Sequence, residues 1–373
     1  MGQRQGTLEG MALNYLFGGA YDGTRVLVTG HTGFKGSWLC LWLQAMGAEV
    51  TGLALAPDTE PAHWPLLQLA TVRDQRADVR DIDAVRAVVA EAKPQVVFHL
   101  AAQPLVRRSY KEPIATFETN VMGLVNVFEA LRDCASLRAV VNATTDKVYL
   151  EQPSEGGYRE DQPLGGHDPY STSKACAELV SECYRKSFFS GADAPAAALA
   201  TARAGNVIGG GDWSEDRLAP DLVRAAVAGS PLRLRNPDAI RPWQHVLEPL
   251  SGYLRLGQAL LAGERVEGPW NFGPAGDATL SVADLVAAMR AQWPGVHEQA
   301  SPGPHPHEAP TLRLDCSKAA RELGWRPVWN AETTITRTIA WYRAFHERGA
   351  LLSRDDLHDY LADARAAGLG WAA

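Results

Sequence analysis

The fold is decided by the stretch Arg25-Val-Leu-Val-Thr-Gly-His-Thr-Gly-Phe-Lys-Gly-Ser-Trp38, where a β-branched run leads through spaced glycines into a helical pattern. Residues 25–29 are typical of a short buried strand, and residues 38–46 of a helix. Three glycines with the spacing GxxGxxG fill the turn between them: Gly30, Gly33 and Gly36. Glycine permits a tight turn and a close approach of the backbone to a pyrophosphate, which the first N–H groups of a helix can bind. Because the glycines follow a strand and precede a helix, the stretch predicts a dinucleotide site.

Strands and helices go on alternating beyond this turn. Further strands are predicted at 49–55, 95–100 and 137–143, and helices at 81–92, 117–131, 281–293, 317–323 and 333–346. Such alternation predicts an α/β fold built on a doubly wound parallel Rossmann sheet, with ligands at the carboxyl ends of the strands.

The pattern along the chain predicts three parts. Residues 1–22 show no periodicity and are expected to be an N-terminal extension outside the fold. Residues 23–200 are expected to form the dinucleotide-binding Rossmann domain, to which part of 236–260 returns. Residues 201–360, with stretches rich in Gly, Pro, Asn and Trp, are expected to form mainly a smaller C-terminal α/β domain that binds the substrate.

Composition and charge exclude several classes of protein. The 373 residues are 46% hydrophobic and 21% charged, which is ordinary for a globular chain of roughly two domains. With 36 basic and 43 acidic side chains the net charge is −7, so we expect no nucleic-acid partner. The sequence contains no run of about 18 apolar residues, so we expect no membrane span. The five scattered cysteines predict neither a disulfide framework nor a metal site, and they favour a reducing cytoplasm.

The residues after the second predicted strand do not identify which side chain binds the adenosine of the dinucleotide. An acidic residue commonly follows this strand and binds the adenosine ribose of NAD, but the sequence here is Leu55-Ala56-Pro57. Asp58 could take that role, or it could be a solvated loop residue. No arginine is adjacent to receive a 2′-phosphate, which favours NAD over NADP. Asp78-Val79 could contact the adenine, or it could cap the following helix.

A tyrosine and a lysine form the motif YxxxK in Asp168-Pro-Tyr170-Ser-Thr-Ser-Lys174. Residues four apart share one face of a helix. A phenol with a pKa of about 10 is a poor base at neutral pH, and a nearby ammonium lowers that pKa. Such pairs also occur by chance in helices, but here the pair follows a glycine loop and a strand, which predicts a catalytic role for Tyr170 and Lys174.

The segment Thr144-Thr145-Asp146-Lys147 follows the strand predicted at 137–143. Catalytic side chains of an open α/β sheet lie at such strand ends. A hydroxyl, a carboxyl and an amine there can polarise an oxygen, donate a proton and accept one. The alternative is a polar turn without chemistry.

With these motifs the chain resembles the extended short-chain dehydrogenases/reductases over nearly its whole length after residue 22. Longer phrases are similar to those of the sugar-nucleotide 4,6-dehydratases: GHTGFKGSW at 30–38, AAQPLVR at 101–107, TDK at 145–147, RAGNVIGGGDW at 203–213 and IRPWQHV at 240–246. Lys147, in the position where related chains usually carry glutamate, points to the branch that acts on CDP-glucose.

The resemblance implies a lyase that converts CDP-D-glucose to CDP-4-dehydro-6-deoxy-D-glucose and water through an internal NAD redox cycle. Tyr170, assisted by Lys174 and Thr145, would take the proton of the C4 hydroxyl. Lys147 would act as the base at C5, and Asp146 as the acid that protonates the departing C6 hydroxyl. The implied contacts of NAD are Gly30, His31, Gly33, Phe34, Lys35, Gly36, Asp78, Val79, Leu100, Ala101, Ala102, Gln103, Tyr170 and Lys174.

The resemblance also implies where the sugar nucleotide binds. Asn206 matches a substrate-contacting asparagine, and Arg241 lies in the segment whose arginine reaches the diphosphate, while Arg107 and Arg217 are further candidates. His307 lies in a Pro/His-rich segment that we interpret as a substrate-side loop rather than a metal site, because a third ligand is lacking. We therefore expect no metal.

Two other functions share much of this pattern. A sugar-nucleotide 4-epimerase needs the tyrosine and lysine but not the Asp146–Lys147 pair, and another nucleotide-hexose 4,6-dehydratase would differ only in its base. A dinucleotide-sensing scaffold would need no catalytic pair. The resemblance further implies a homodimer or a dimer-based oligomer, formed through the helices at 117–131 and 173–188.

Overall fold

The structure is a computed structural model that describes residues 13–152, 156–189, 197–274, 279–293, 297–300 and 312–373. Its strands are β1 Arg25–Thr29, β2 Glu49–Ala54, β3 Arg73–Arg76, β4 Val96–His99, β5 Ala139–Ala143, β6 Ala198–Ala204, β7 Val207–Ile208, β8 Pro231–Leu234, β9 Ile240–Pro242, β10 Gln244–His245, β11 Gly268–Phe272, β12 Thr279–Ser281 and β13 His297–Ala300. Seven of them form a central parallel sheet in the order β11-β6-β5-β4-β1-β2-β3. The predicted doubly wound parallel sheet is therefore confirmed, and its order reverses between β1 and β4, where such sheets open a crevice.

Helices cover both faces of the sheet. They are α1 Phe34–Ala45, α2 His63–Leu67, α3 Ile82–Ala92, α4 Val106–Lys111, α5 Pro113–Phe117, α6 Gly123–Arg132, α7 Pro169–Ser187, α8 Leu218–Ala228, α9 Leu247–Leu261, α10 Val282–Gln292, α11 Ser317–Glu322, α12 Ala331–Arg348 and α13 Ser353–Ala366. A π-helical turn, Glu118–Met122, joins α5 to α6, so the helix predicted at 117–131 is a run of three segments. In the described part of the chain, no helix combines the length and the apolar character that crossing a membrane requires.

Strand β3 was missed by the sequence analysis. Its residues Arg73–Arg76 are RDQR, and most of their surface is exposed because β3 is the edge strand of the sheet. An edge strand buries no continuous face, so it lacks the β-branched run that marked β1. The boundary expected after residue 200 falls inside β6, and β11 adds a strand from farther along the chain. Residue 200 therefore cannot divide two domains.

Two apolar layers enclose the sheet. One contains α1, α9 and α13, with Trp42, Tyr253 and Tyr360 fully buried, and the other contains α3 and α6, with Val89 and Phe128. Helix α1 is apolar on nearly all sides because the sheet lies on one side of it and α13 on another. A helix with so little polar surface is stable only when it is enclosed in this way.

The N-terminal segment corrects one prediction. Residues 1–22 were expected to lie outside the fold, but in the described residues 13–22 the side chains of Leu13, Leu16, Phe17 and Tyr21 are at most 1% exposed. The ring of Phe17 stacks on Trp371, with 5.0 Å between the ring centroids. This contact joins the two ends of the chain, so no local periodicity could reveal it.

Replacing Phe17 with alanine tests this packing. We expect Phe17→Ala to lower the free energy of unfolding by about 3–5 kcal/mol, because it removes a buried aromatic ring and leaves a cavity against Trp371. Val227→Ala, which shortens an apolar side chain that is 53% exposed, is the matched control and should change the stability by less than about 0.5 kcal/mol. Both values are measured by urea denaturation, and equal midpoints for the two variants would contradict the assignment.

Candidate active site

A cavity of about 870 Å³ opens along the carboxyl edge of the sheet. Its walls come from the segments that follow β1, β2, β4, β5 and β6, together with α8 and β8. This is where ligands bind in open α/β sheets, and the volume is within the range of small-molecule sites.

The glycine loop forms one wall of the cavity. Gly30 has φ +74°, and a Cβ there would lie 2.7 Å from the backbone nitrogen of Ala101. A Cβ on Gly36 would lie 2.1 Å from the carbonyl oxygen of Gly30, so neither position accepts a larger residue. Gly33 caps α1 and itself lines the cavity, so the start of α1 faces the open space without an intervening side chain. The geometry fits a pyrophosphate on the helix N-terminus.

Most residues expected to contact the dinucleotide line this cavity. They are Gly30, Gly33, Phe34, Lys35, Gly36, Asp78, Val79, Leu100, Ala101, Ala102, Gln103, Tyr170 and Lys174. His31 is the exception, because its side chain is completely buried and its Nε2 lies 2.8 Å from Asp74 Oδ1 beneath the loop. The ring therefore supports the loop from behind, and His31 as a cofactor contact stays a prediction.

The end of β2 has cationic neighbours that the local sequence did not reveal. Ala56 and Asp58 both line the cavity, and the Asp58 carboxylate lies 4.0 Å from Arg108 of α4. Arg76 of β3 donates to the carbonyl oxygen of Leu55 and to Asp74. Since Arg76 already donates to these two acceptors within the protein, its position does not indicate a cofactor with a 2′-phosphate.

Helix α7 presents the tyrosine and the lysine to the cavity. It begins at the cap Asp168, whose carboxylate accepts from the backbone N–H of Ser171 at 2.9 Å. Burial raises the pKa of Tyr170 to about 12, and a hydrogen bond with Thr145 opposes the rise. Burial lowers the pKa of Lys174 to about 8. The ammonium of Lys174 donates to the carbonyl oxygen of Ala143, at the end of β5, at 3.0 Å.

Asp146 and Lys147 meet in the turn after β5. Lys147 Nζ lies 3.0 Å from Asp146 Oδ1, and the hydroxyl of Thr145 donates to the same oxygen at 3.0 Å. The other oxygen, Asp146 Oδ2, is buried and has no hydrogen-bond partner among the described residues. A Cβ on Gly205 would lie 3.0 Å from this oxygen, so a larger residue at position 205 would crowd it. The unpartnered oxygen points to a polar ligand in the cavity.

A buried ion pair behind these groups was not anticipated. Arg203 of β6 donates to Glu178 of α7 at 2.9 Å, and both side chains are less than 5% exposed. The same carboxylate accepts from Thr144 at 2.5 Å and from Thr201 at 2.7 Å, while Arg203 also donates to the hydroxyl of Tyr149. Tyr149 thus has a structural role. These partners lie on separate elements, so their spacing along the chain carries no signal.

Lys35 reaches from the glycine loop toward the catalytic groups. It is half-buried, and its Nζ lies 3.4 Å from the hydroxyl of Tyr253 on α9. The pKa of Lys35 is lowered to about 7, mainly by burial and also by the nearby charge of Arg217, while the charge of Asp146 opposes the change. A lysine within the electrostatic reach of both the loop and Asp146 links the dinucleotide side of the cavity to the catalytic side.

The residues expected to bind the substrate lie on the opposite side. Asn206, Arg107, Arg217 and Arg241 line the cavity, and so do the tryptophans Trp213 and Trp243, which are also buried. Asp216 holds Arg107 at 2.8 Å and Arg235 at 2.9 Å, and Asp212 holds Arg217 at 3.1 Å. His307 lies outside the described residues, among which no cluster of His, Cys, Asp and Glu could hold a metal ion.

Comparison with known proteins gives concordant results. The model of the family described as GDP-mannose 4,6 dehydratase matches residues 27–338. A CDP-glucose 4,6-dehydratase of Salmonella typhimurium is 47% identical over 349 residues, which cover 92% of this chain and 97% of that one. The structure of a UDP-glucose 4-epimerase from Thermus thermophilus in complex with NAD is similar, with a TM-score of 0.73 and 26% identity over 86% of this chain and 99% of that chain.

A more distant structure agrees in fold. The dTDP-glucose 4,6-dehydratase of Bacillus anthracis in complex with NAD has a TM-score of 0.71 and 22% identity, and covers 87% of this chain and 98% of that chain. Both the family match and the close relative span the glycine loop, the turn after β5 and α7. The chain therefore belongs to the GDP-mannose 4,6-dehydratase family of the extended short-chain dehydrogenases/reductases.

Proposed function

We propose that this chain is an NAD-dependent CDP-glucose 4,6-dehydratase of deoxysugar biosynthesis. The observation that carries the proposal is the Asp146–Lys147 pair, which lies in the same cavity as Tyr170 and the glycine loop. The relative named CDP-glucose 4,6-dehydratase, at 47% identity, supports the choice of nucleotide. When NAD is bound, it supplies the acceptor for the C4 hydride and the donor of the hydride that reaches C6.

Tyr170 is the group that takes the proton of the C4 hydroxyl. Its raised pKa keeps the phenol protonated at neutral pH, so the phenol must first lose its proton or pass it on while the substrate binds. A hydrogen bond with Thr145 and the positive charge of Arg217 both favour the phenolate. Lys174 lies four residues farther along α7, on the same face of the helix.

Asp146 and Lys147 then share the work of dehydration. As an ion pair they are a carboxylate and an ammonium, which is the reverse of what an acid and a base require. Transfer of one proton across the 3.0 Å from Lys147 to Asp146 creates a neutral amine and a carboxylic acid together. The amine can take the C5 proton, which the C4 ketone has acidified, and the acid can protonate the departing C6 hydroxyl. The buried Oδ2 of Asp146 is available for that contact.

A 4-epimerase would use the cavity differently. It oxidises and reduces C4 alone, so it needs no acid and base beside Tyr170. A buried carboxylate with an unpartnered oxygen costs stability, and the dehydration reaction gives it a purpose. The Asp146–Lys147 pair therefore favours the dehydratase.

The arginines suit the diphosphate of the sugar nucleotide. Arg107, Arg217 and Arg241 line the cavity, and guanidinium groups match phosphate oxygens in pairs. Asp212 and Asp216 hold two of these arginines before the substrate arrives, so their side chains lose less freedom on binding. Asn206, whose Oδ1 is buried without a partner among the described residues, is placed to accept from a sugar hydroxyl.

The face of α5 and α7 supports a homodimer. Ile114, Met122 and Leu179 are 74%, 53% and 59% exposed, and they lie on segments that pack side by side. A patch of exposed apolar residues on neighbouring helices is typical of a protein–protein interface.

All five cysteines are free thiols, which supports a reducing cytoplasm as the compartment.

The reaction itself provides the first test. Incubation with CDP-glucose should yield the alkali-dependent absorbance of a 4-keto sugar.

Tyr170→Phe should lower kcat by about 10²–10⁴-fold because it removes the group that accepts the C4 hydroxyl proton. Lys147→Met should retain C4 oxidation, seen as NADH absorbance, but lose exchange of the C5 proton with deuterated solvent. The exposed Arg348→Gln is the control and should match the wild type. Absence of the 4-keto signal with the wild type would contradict the proposal.

The dimer is tested by charge on the apolar face. The wild type should have twice the chain mass by light scattering, and Ile114→Glu combined with Leu179→Arg should yield a monomer, because the two charges would have to be buried. Val227→Arg places a charge on an apolar position of α8 that is 53% exposed and should leave the mass unchanged. A monomeric wild type would refute the interface.

A further inference from the structure

The cavity has two chemically different ends. The glycine loop and Asp78 follow β1 and β3 of the central sheet, whereas α8 and β8 come after β6 and β7 in the chain and lie outside that sheet. Tyr170 and Lys147 line the part of the cavity near the end of β5. On the proposed function, on which this inference rests, the hexose lies at Tyr170 and NAD occupies the glycine-loop side. The nucleoside of the substrate must then extend toward α8 and β8.

The walls at this end suit a pyrimidine ring. Leu218 and Ala219 of α8 and Leu232 and Leu234 of β8 all line the cavity and belong to one apolar cluster. Aliphatic side chains provide apolar surface for the faces of a base but no hydrogen bonds for its edge. A polar group among them therefore has a large influence on which base binds.

Asp221 is the acidic group of α8 at this wall, and Arg233, Arg235 and Asn236 line the same cavity from β8 and the residues after it. Asp221 lies in the first turn of α8 and lines the cavity, and its Oδ1 accepts from Arg224 at 2.5 Å. Arg224 also donates to the carbonyl oxygens of Trp213 and Ser214, so it is held by the loop and only partly neutralises the carboxylate. No hydrogen bond from a described residue reaches Oδ2. Burial raises the pKa of Asp221 although Arg224 and Arg235 lower it, so the site desolvates this carboxylate without full compensation.

A carboxylate is unexpected among the residues that line a cavity for a diphosphate, because both groups are negatively charged. It repels the negative substrate unless it meets a hydrogen-bond donor on the ligand. Cytosine carries an amino group at C4, whereas uracil and thymine carry a carbonyl oxygen there. Asp and Glu accept hydrogen bonds from the amino group of cytosine, and they repel a carbonyl oxygen at the same place.

We propose that Asp221 determines the base specificity of this enzyme, because its free carboxylate oxygen accepts a hydrogen bond from the 4-amino group of cytosine. The contact favours a cytidine diphosphate sugar and opposes a uridine or thymidine diphosphate sugar. It is made in the ground state and in the transition state alike, so it acts on KM more than on kcat.

The proposal is tested with Asp221→Asn and two substrates, CDP-glucose and UDP-glucose. The amide can accept from an amino group or donate to a carbonyl oxygen, so the ratio of kcat/KM for the two substrates should fall by roughly 10–100-fold, mainly through KM. Asp216→Asn is the matched control, an aspartate of the same cavity that also holds arginine; it should change kcat/KM for both substrates by the same factor and preserve the ratio.

A measurement on the wild type keeps the test independent of folding. CDP should inhibit at least tenfold more strongly than the analogue diphosphate whose pyrimidine lacks the 4-amino group. Equal inhibition by the two, or an unchanged substrate ratio in a folded Asp221→Asn enzyme, would overturn the inference while wild-type turnover of CDP-glucose leaves the proposed function intact. A wild type inactive on CDP-glucose would instead contradict the proposed function, and the inference with it.

Discussion

The buried pair of Glu178 and Arg203 is the interaction on which the catalytic geometry depends. It connects α7, which carries Tyr170 and Lys174, to β6, the strand next to the edge strand β11, and through Thr144 to the end of β5. Loss of one partner would leave an uncompensated buried charge, which costs about 3–5 kcal/mol in comparable cases. Because four donors converge on a single carboxylate, the helix has one well-defined position against the turn that contains Asp146.

Exclusion of water is the second condition of this site. Burial raises the pKa of Tyr170 to about 12 and lowers that of Lys174 to about 8, because removal from water disfavours the charged form of each group. The ion pair of Asp146 and Lys147 fits the same condition of excluded water. On the proposed function, one proton transfer within the pair would produce an acid and a base together, and no proton from solvent would be needed.

Much of the fold was readable from local pattern, and the exceptions have physical causes. Strand β1 and the glycine loop were predicted because a β-branched run, a turn and a helix follow one another within fourteen residues, 25–38. Strand β3 was missed because an exposed edge strand needs no apolar face. Phe17 was placed outside the fold because its partner, Trp371, lies at the other end of the chain.

The sequence by itself determined the chemistry: which groups follow which strand, and that Tyr170 and Lys174 share a helix face. These features are local, because chain order fixes which groups follow a strand, and residues four apart become neighbours wherever the segment is helical. Only the tertiary structure decided that His31 supports the loop from behind and that Asp146 keeps one oxygen unpartnered beside Gly205. It alone placed Asp221 in the cavity. Those outcomes depend on burial and on contacts between distant segments, and the energy of a polar group is set by what surrounds it rather than by its neighbours in the chain.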